Sequence, residues 1–529
     1  MNFGLFGTIA QGSVIQFPSI SYKSIGPELV LVVGSLIIMV VTSLFPAMRR
    51  REVVTFMSSS VAAIALIDSI VLWSQFRSHG AYRAIAGSIT LDGFSVFMMV
   101  TISSAALLGS LAAGSYLTKS NVGVVEFQSL LLLASSGGMI LASAGDLIVI
   151  FVGLEVLSIA LYVLAAFEKR NSRSGEAGLK YFILGGFSSA IFLYGIALTY
   201  GATGSTNISK IAGYLAANTI TNNGVLLAGI ALLIVGFAFK VAAVPFHLWT
   251  PDVYQGSPSV STGYMAAAAK AAGFAGLLRV LVTAFPTLSN QWRPILWVLA
   301  GLTMVFGAAL ALIQKDVKRM LAYSSINHAG FVMLGVAAGS SSGTSASLYY
   351  LISYTFVIIA TFAIISVFED PEVGGVKLTD LRGLFERSPF IAFALAIFLV
   401  AQAGAPLTTG LIAKFSVVAA TVSAHSYVLA VIAMLSAVVA AFFYLRIVAT
   451  VFSKSVNQEV ETGYFSDSDD SVVGEPSSVA VASTVVVDSK LKIDSLTYVV
   501  VVVSLLFTVG FGIFAAPLSQ MANQAHLLF

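Results

Sequence analysis

Fourteen stretches of about 20 mostly apolar residues run along the chain, each long enough as a helix to cross about 30 Å of hydrocarbon. They fall near 27–47, 53–76, 92–117, 125–144, 146–167, 175–201, 224–250, 257–283, 291–313, 316–338, 344–368, 389–422, 425–452 and 495–518. Inside a bilayer every backbone N–H and C=O needs a partner within the protein, which leaves the helix as the spanning form for such segments. The chain is therefore predicted to be an all-α polytopic membrane protein with about 14 transmembrane helices. Its 529 residues are 58% hydrophobic and 10% charged, a balance foreign to soluble domains.

Loop charges set the expected orientation, because short cytoplasmic loops collect Lys and Arg. With both termini outside, sixteen of the 27 basic residues lie inside, Lys318 among them, and six outside, including Arg279. Trp73, Trp249 and Trp292 fall near span ends, where an indole suits the headgroup layer. Residues 205–223 read as a short interfacial helix, and 455–490, rich in Ser and acids, as a long disordered inside loop. The first residues carry no basic segment of a removable signal. The absence of cysteine leaves no thiolate ligands for zinc or iron-sulfur clusters, so no metal site and no cofactor are expected on this chain. A net charge of +3 spread over loops gives no footprint for nucleic acid, and the expected surroundings are the lipid bilayer.

Lys180, Lys240, Lys270 and Lys414 lie inside apolar spans, together with Glu155 and His328. A lysine near a helix centre costs about 2.5–3.5 kcal/mol, so four facing lipid would cost roughly 10–14 kcal/mol. These side chains are expected to face the interior, although Lys180, near its span end, has the reach to snorkel. In FKVAAVPFHLWTP, Pro245 removes a backbone donor and biases Val244 away from helix, so the span should break just after Lys240. Such a break presents carbonyls that suit a cation. Thr250-Pro251 should end the segment, and Ser257-Pro258 should open the next helix as N-cap and first-turn proline.

FLVAQAGAPLTTGLIAKFS repeats the device, with Gly404 and Pro406 as breakers and Lys414 following. The first break falls in the fourth of five spans over 125–283, the second in the fourth of five over 291–452. A five-helix unit starts its second copy from the opposite side, the pattern of inverted-repeat transporters with broken helices around a midplane ion path. The expected organisation is three N-terminal spans (1–124), a first repeat (125–283), an inverted second repeat (291–452), a cytoplasmic loop (453–494) and a C-terminal span (495–529).

GFAFKVAAVPFHLWTPDVYQGSPSVST, GLEVLSIALYVLAAF, GLKYFILGGFSSAIFLYG, KRMLAYSSINHAGF and GLIAKF resemble the antiporter-like membrane subunits of proton-pumping NADH-quinone oxidoreductase, respiratory complex I, and among them subunit N. The lysine at 414, where subunits L and M are expected to carry an acid, and the short tail after the last span favour N. The resemblance implies an ion pair of Glu155 with Lys240, Lys180 nearby, a central relay of Lys270 and His328, and Lys414 on the exit side. It implies other membrane subunits of complex I as partners, and NADH, FMN, iron-sulfur clusters and quinone on other subunits. It also implies a multi-pass place in a bacterial inner membrane.

Burial disfavours a charged amine and a close carboxylate restores it, so motion of Glu155 relative to Lys240 would switch proton affinity. Two pKa units, about 2.7 kcal/mol, exceed the roughly 2.3 kcal/mol needed to move one charge against 100 mV. The alternative reading is a cation/proton antiporter subunit, which would need a carboxylate-rich sodium site, and the only deep acids apparent are Glu155 and Asp68. A passive scaffold would have no use for six ionisable groups in apolar spans.

Overall fold

The computed structural model describes residues 21–118, 122–218, 223–370, 374–454, 491 and 493–528. The loop expected at 455–490 lies outside them. Three helices, α1 (Gly26–Leu44), α2 (Arg51–His79) and α3 (Gly93–Tyr116), come first, with a small antiparallel hairpin between α2 and α3. Next come α4 (Val124–Ser143), α5 (Leu147–Ala165), α6 (Ser172–Thr203), the short α7 (Ile208–Ala217), α8 (Gly224–Val241), α9 (Trp249–Gly256) and α10 (Ser259–Ala284). The second half holds α11 (Ser289–Leu312), α12 (Val317–Ala338), α13 (Ser341–Ile365), α14 (Pro389–Ala403), α15 (Thr409–Ser423) and α16 (Tyr427–Phe452). The spanning α17 (Ser495–Ile513) and the short α18 (Ala516–Gln524) follow.

Among the described residues 13 helices are long and apolar enough to cross a membrane. The remaining stretch, 389–422, is divided into α14 and α15, so the fourteen stretches are all accounted for. The most apolar windows of α12 and α13 are wholly buried and that of α10 is 94% buried. A helix buried all round belongs in a core, and these three lie at its centre. The short helix expected within 205–223 is present as α7.

The two halves pack alike. In the first, α4 meets α5 and α10, α5 meets α6, α6 meets α8 and α9, and α8 meets α10. In the second, α11 meets α12 and α16, α12 meets α13, α13 meets α14 and α15, and α14 meets α16. Backbone bonds repeat as well. Leu147 N donates to Thr206 O at 2.9 Å and Ile208 N to Gly145 O at 3.0 Å. Their counterparts are Val317 N to Val376 O at 2.8 Å and Leu378 N to Lys315 O at 3.1 Å. An aspartate N-cap starts the second helix of each half, Asp146 accepting from Ile148 N and Asp316 from Arg319 N. This common register places Ser325 where Glu155 stands and His328 where Ser158 stands, nine and twelve residues after the respective aspartate.

The two breaks are built the same way. Helix α8 ends with Ala242 in the left-handed region (φ 62) and Ala243 N bonded back to Ala238 O at 2.8 Å. Helix α14 ends with Gly404 at φ 98 and Ala405 N bonded back to Val400 O at 3.1 Å. Both are helix C-terminal motifs that return freed N–H groups to the last turn. Thr250-Pro251 does not end the first segment, because both residues lie in the first turn of α9, where a proline needs no N–H partner. Ser257 closes α9 instead of capping α10, whose Ser259 N donates to the Glu369 carboxylate at 2.8 Å.

Candidate functional site

The interior-facing lysines of the sequence reading divide in two. Lys240, Lys270 and Lys414 are buried, at 5%, 3% and 7% exposure, and His328 is buried with them. The Lys180 side chain is 41% exposed and belongs elsewhere. It bonds Asp252 Oδ2 at 2.8 Å and Glu176 Oε1 at 2.7 Å, and Arg319 holds the other Asp252 oxygen at 2.7 Å. These groups border a polar pocket of about 270 Å³. Asp252 lies beyond the apolar stretch that ends near 250. Burial works to raise its carboxyl, but hydrogen bonds and charge from Lys180 and Arg319 outweigh that and hold it below the ordinary value.

The expected Glu155–Lys240 ion pair is not closed. Lys240 Nζ donates to Ser158 Oγ at 2.8 Å, one helical turn along α5 from Glu155, and lies 5.8 Å from the centre of the Tyr181 ring. Glu155, half-buried, accepts a short hydrogen bond from Ser189 on α6. Glu155 and Ser158 are three apart on one helix and so share a face. The lysine thus sits beside the acid with a hydroxyl as its direct partner. Its stem runs over Gly273 of α10, where a Cβ would stand 3.2 Å from Lys240 Cγ. That close crossing sets Lys240 against the helix that carries Lys270.

A π-helical segment, Met265–Ala269, leads directly into Lys270. Such bulges open the regular ladder and are frequent at functional sites. Lys270 Nζ donates to both the carbonyl and the hydroxyl of Ser325, each at 2.5 Å, and so joins α10 to α12 one turn before His328. His328 Nδ1 bonds Tyr350 Oη at 2.6 Å and Nε2 bonds Tyr444 Oη at 2.9 Å. Tyr444 in turn shares a short hydrogen bond with Ser324. Lys414 Nζ donates to Ala403 O at 2.9 Å and lies 4.8 Å from the Phe331 ring centre.

The attraction of break carbonyls for a cation is therefore realised at the second break, where the lysine follows the break. At the first, Lys240 precedes it. There Phe239 O accepts from the Trp249 indole at 3.1 Å, and Val244 N donates to Thr303 Oγ1 at 2.9 Å. Trp249 and Trp292 are consequently interior hydrogen-bond donors, not headgroup anchors, the latter bonding Phe285 O at 3.0 Å.

Two buried ion pairs escaped the sequence reading. Lys318 bonds Glu369 and the Ser257 carbonyl, both at 2.5 Å. Arg279 holds Asp92 through two bonds of 2.8 and 3.0 Å. The loop-charge count treats both cations as loop residues, although each lies within the bounds of an apolar stretch. A third buried acid, Glu28, accepts from Ser143 Oγ at 3.3 Å.

Residues 144–440, more than half the chain, match the family described as NADH:quinone oxidoreductase/Mrp antiporter, TM. The chain is 38% identical to NADH-quinone oxidoreductase subunit N of Trichlorobacter lovleyi over 84% of its own length and 90% of that protein's. It belongs to the subunit N family of NADH-quinone oxidoreductases. A chain of respiratory complex I from Thermus thermophilus superposes with a TM-score of 0.75 at 28% identity, covering 94% of this chain and all of that one. A chain of the Mrp complex from Dietzia shares the fold alone, with a TM-score of 0.80 at 21% identity. This chain thus carries its buried cations on a fold that it shares with a chain of the Mrp complex.

Proposed function

We propose that the chain is the proton-translocating membrane subunit N of NADH-quinone oxidoreductase and that Glu155, Lys240, Lys270, His328 and Lys414 carry the protons. The observation that carries this reading is the row of buried basic groups, with Lys240 and Lys414 beside helix breaks, Lys270 after a π-helical segment and His328 on the continuous α12. In this reading Lys240 loads its proton next to Glu155. The charge passes to Lys270 and, across Ser325, to His328, and leaves by Lys414. Lys180 acts at the inside surface, where Asp252 and Arg319 fix it. Pro245, Gly404 and Pro406 keep the backbone open at membrane depth, where protein groups satisfy it.

The drive comes from quinone reduction elsewhere in the complex, with NADH, FMN, iron-sulfur clusters and quinone on other subunits. The partners are the other membrane subunits, and the setting is a bacterial inner membrane with both termini outside. The antiporter-type fold favours one alternative, a cation/proton antiporter subunit, in which a sodium gradient would be exchanged for protons.

The test uses the assembled complex in liposomes. Lys240→Ala and Glu155→Ala should each lower the protons moved per NADH oxidised while the chain stays in the membrane. Wild-type pumping in both variants would overturn the reading, and sodium-dependent proton exchange would favour the antiporter.

A further inference from the structure

We infer that the cavity between His328 and Lys414 is a built water site, and that Gln402 and Thr409 hold the water that joins the imidazole to the amine. The inference rests on the relay proposed above and names its uncharged positioning residues. The cavity is lined by His328, Tyr350, Tyr354, Gln402, Thr409 and Lys414 and leaves about 20 Å³ open to the centre of a water molecule. One water needs about 10–15 Å³ by that measure, together with two to four polar partners.

The partners are in place. Gln402 Oε1 and Thr409 Oγ1 are buried and make no hydrogen bond within the protein. Buried polar atoms are as a rule paired with protein or ordered water, and two such atoms around one cavity point to a shared partner inside it. Gln402 is held for this role, because its amide nitrogen donates to Thr361 Oγ1 at 3.2 Å, which turns its carbonyl to the cavity. Lys414 gives one N–H to Ala403 O, and an ammonium has three. Both His328 nitrogens are occupied by Tyr350 and Tyr444, so the imidazole reaches the cavity through the Tyr350 hydroxyl.

The repeat gives an independent argument. Gln402 stands two residues before left-handed Gly404, as Lys240 stands two before left-handed Ala242. His328 occupies the register of Ser158, the hydroxyl that Lys240 reaches directly. A glutamine side chain is one atom shorter than a lysine, and the cavity opens where the missing reach would lie.

The transfer balances without any further reactant. With His328 protonated and Lys414 neutral, Nδ1 gives its proton to Tyr350 Oη as Tyr350 gives its own to the water. The water gives one to Nζ. Tyrosine and water end with the atoms they began with, and one proton has moved. Gln402 Oε1 can only accept, so it takes one water O–H and aims the other at the amine.

High-resolution cryo-EM of the assembled complex should show an ordered peak within hydrogen-bond reach of Gln402 Oε1 and Thr409 Oγ1, lost in Gln402→Leu. In liposomes Gln402→Leu and Thr409→Val should drop the protons moved per NADH to the level of Lys414→Ala, while Thr409→Ser, which keeps the hydroxyl, pumps as wild type. A dry cavity in the wild-type complex overturns the proposal, and this arm stands even where a variant fails to assemble. Equal losses in Thr409→Ser and Thr409→Val also overturn it, because packing would then be the cause. Normal pumping in Gln402→Leu and Thr409→Val beside a defective Lys414→Ala removes the water and leaves the relay. Normal pumping in Lys414→Ala removes the relay itself.

Discussion

Glu369→Ala should weaken the joint between the two halves more than any change at a surface charge. The carboxylate accepts from Lys318 Nζ at 2.5 Å on one oxygen and from Ser259 N at 2.8 Å on the other. The pair is sealed, with side-chain exposures of 0% and 3%. Removing the acid strands the Lys318 charge with only the Ser257 carbonyl, and breaking a buried pair from one side costs about 3–5 kcal/mol. Loss of the cap on α10 adds about 1 kcal/mol. At about 1.4 kcal/mol per factor of ten, the balance between intact and disrupted joint shifts at least roughly a hundredfold. The assay is the fraction of this chain retained in the solubilised complex as temperature rises. The double variant Lys318→Met/Glu369→Leu leaves no unpaired charge, so it should recover most of the loss. Unchanged retention in Glu369→Ala, or a double variant as weak as the single, would refute the clamp.

Lys414→Glu should stop pumping in liposomes while leaving assembly intact, because an acid cannot present an ammonium to the Ala403 carbonyl; normal pumping would show that the cation is dispensable. Gly404→Ala should cost about 1–3 kcal/mol in the strained backbone and press a Cβ to 3.0 Å from Lys414 Cδ, lowering pumping. Gly510→Ala, with nothing within 4 Å, serves as the inert control in the same assay. Asp252→Asn tests the cluster around Lys180 by pH. A carboxyl held low contributes stability above its unfolded value of about 3.9 and loses it only as pH falls through the lower folded value. The deficit of Asp252→Asn in thermal retention should therefore be constant from about pH 5 to pH 8. A deficit that shrinks across that range would contradict the depressed carboxyl.

The spans and both breaks were legible because they follow from length and from proline and glycine chemistry, which act within a few residues. Lys240, Lys270, His328 and Lys414 were legible for the same reason, since an ionisable group in the middle of an apolar stretch has few tolerable places. Partners were not legible. Which hydroxyl meets Lys240 depends on how α5 and α8 cross, and nothing in VGLEVLSIA ranks Ser158 above Glu155 as the nearer group. Lys318 and Arg279 were misplaced because a cation near a span end has two solutions, snorkelling or a buried acid. Their acids, Glu369 and Asp92, lie 51 and 187 residues away along the chain. Trp249 and Trp292 were misplaced by the same ambiguity, since an indole at a span end serves equally as a headgroup anchor or as a donor to an orphaned carbonyl.

The register between the halves shows how one repeating backbone is served by different side chains. Each half needs a C-terminal motif at its break, an aspartate cap on its second helix and a polar group twelve residues after that cap. These needs are met by different residue types. The first half sets a cation before the break and a serine opposite, and they touch. The second sets an amide before the break, a histidine opposite and its cation after the break, and they do not touch. One scaffold thus holds a closed contact in one half and an open one in the other. The proposed relay, to run in one direction, needs such a difference between its ends, because two identical halves in an inverted repeat would present the same proton affinity to both faces of the membrane.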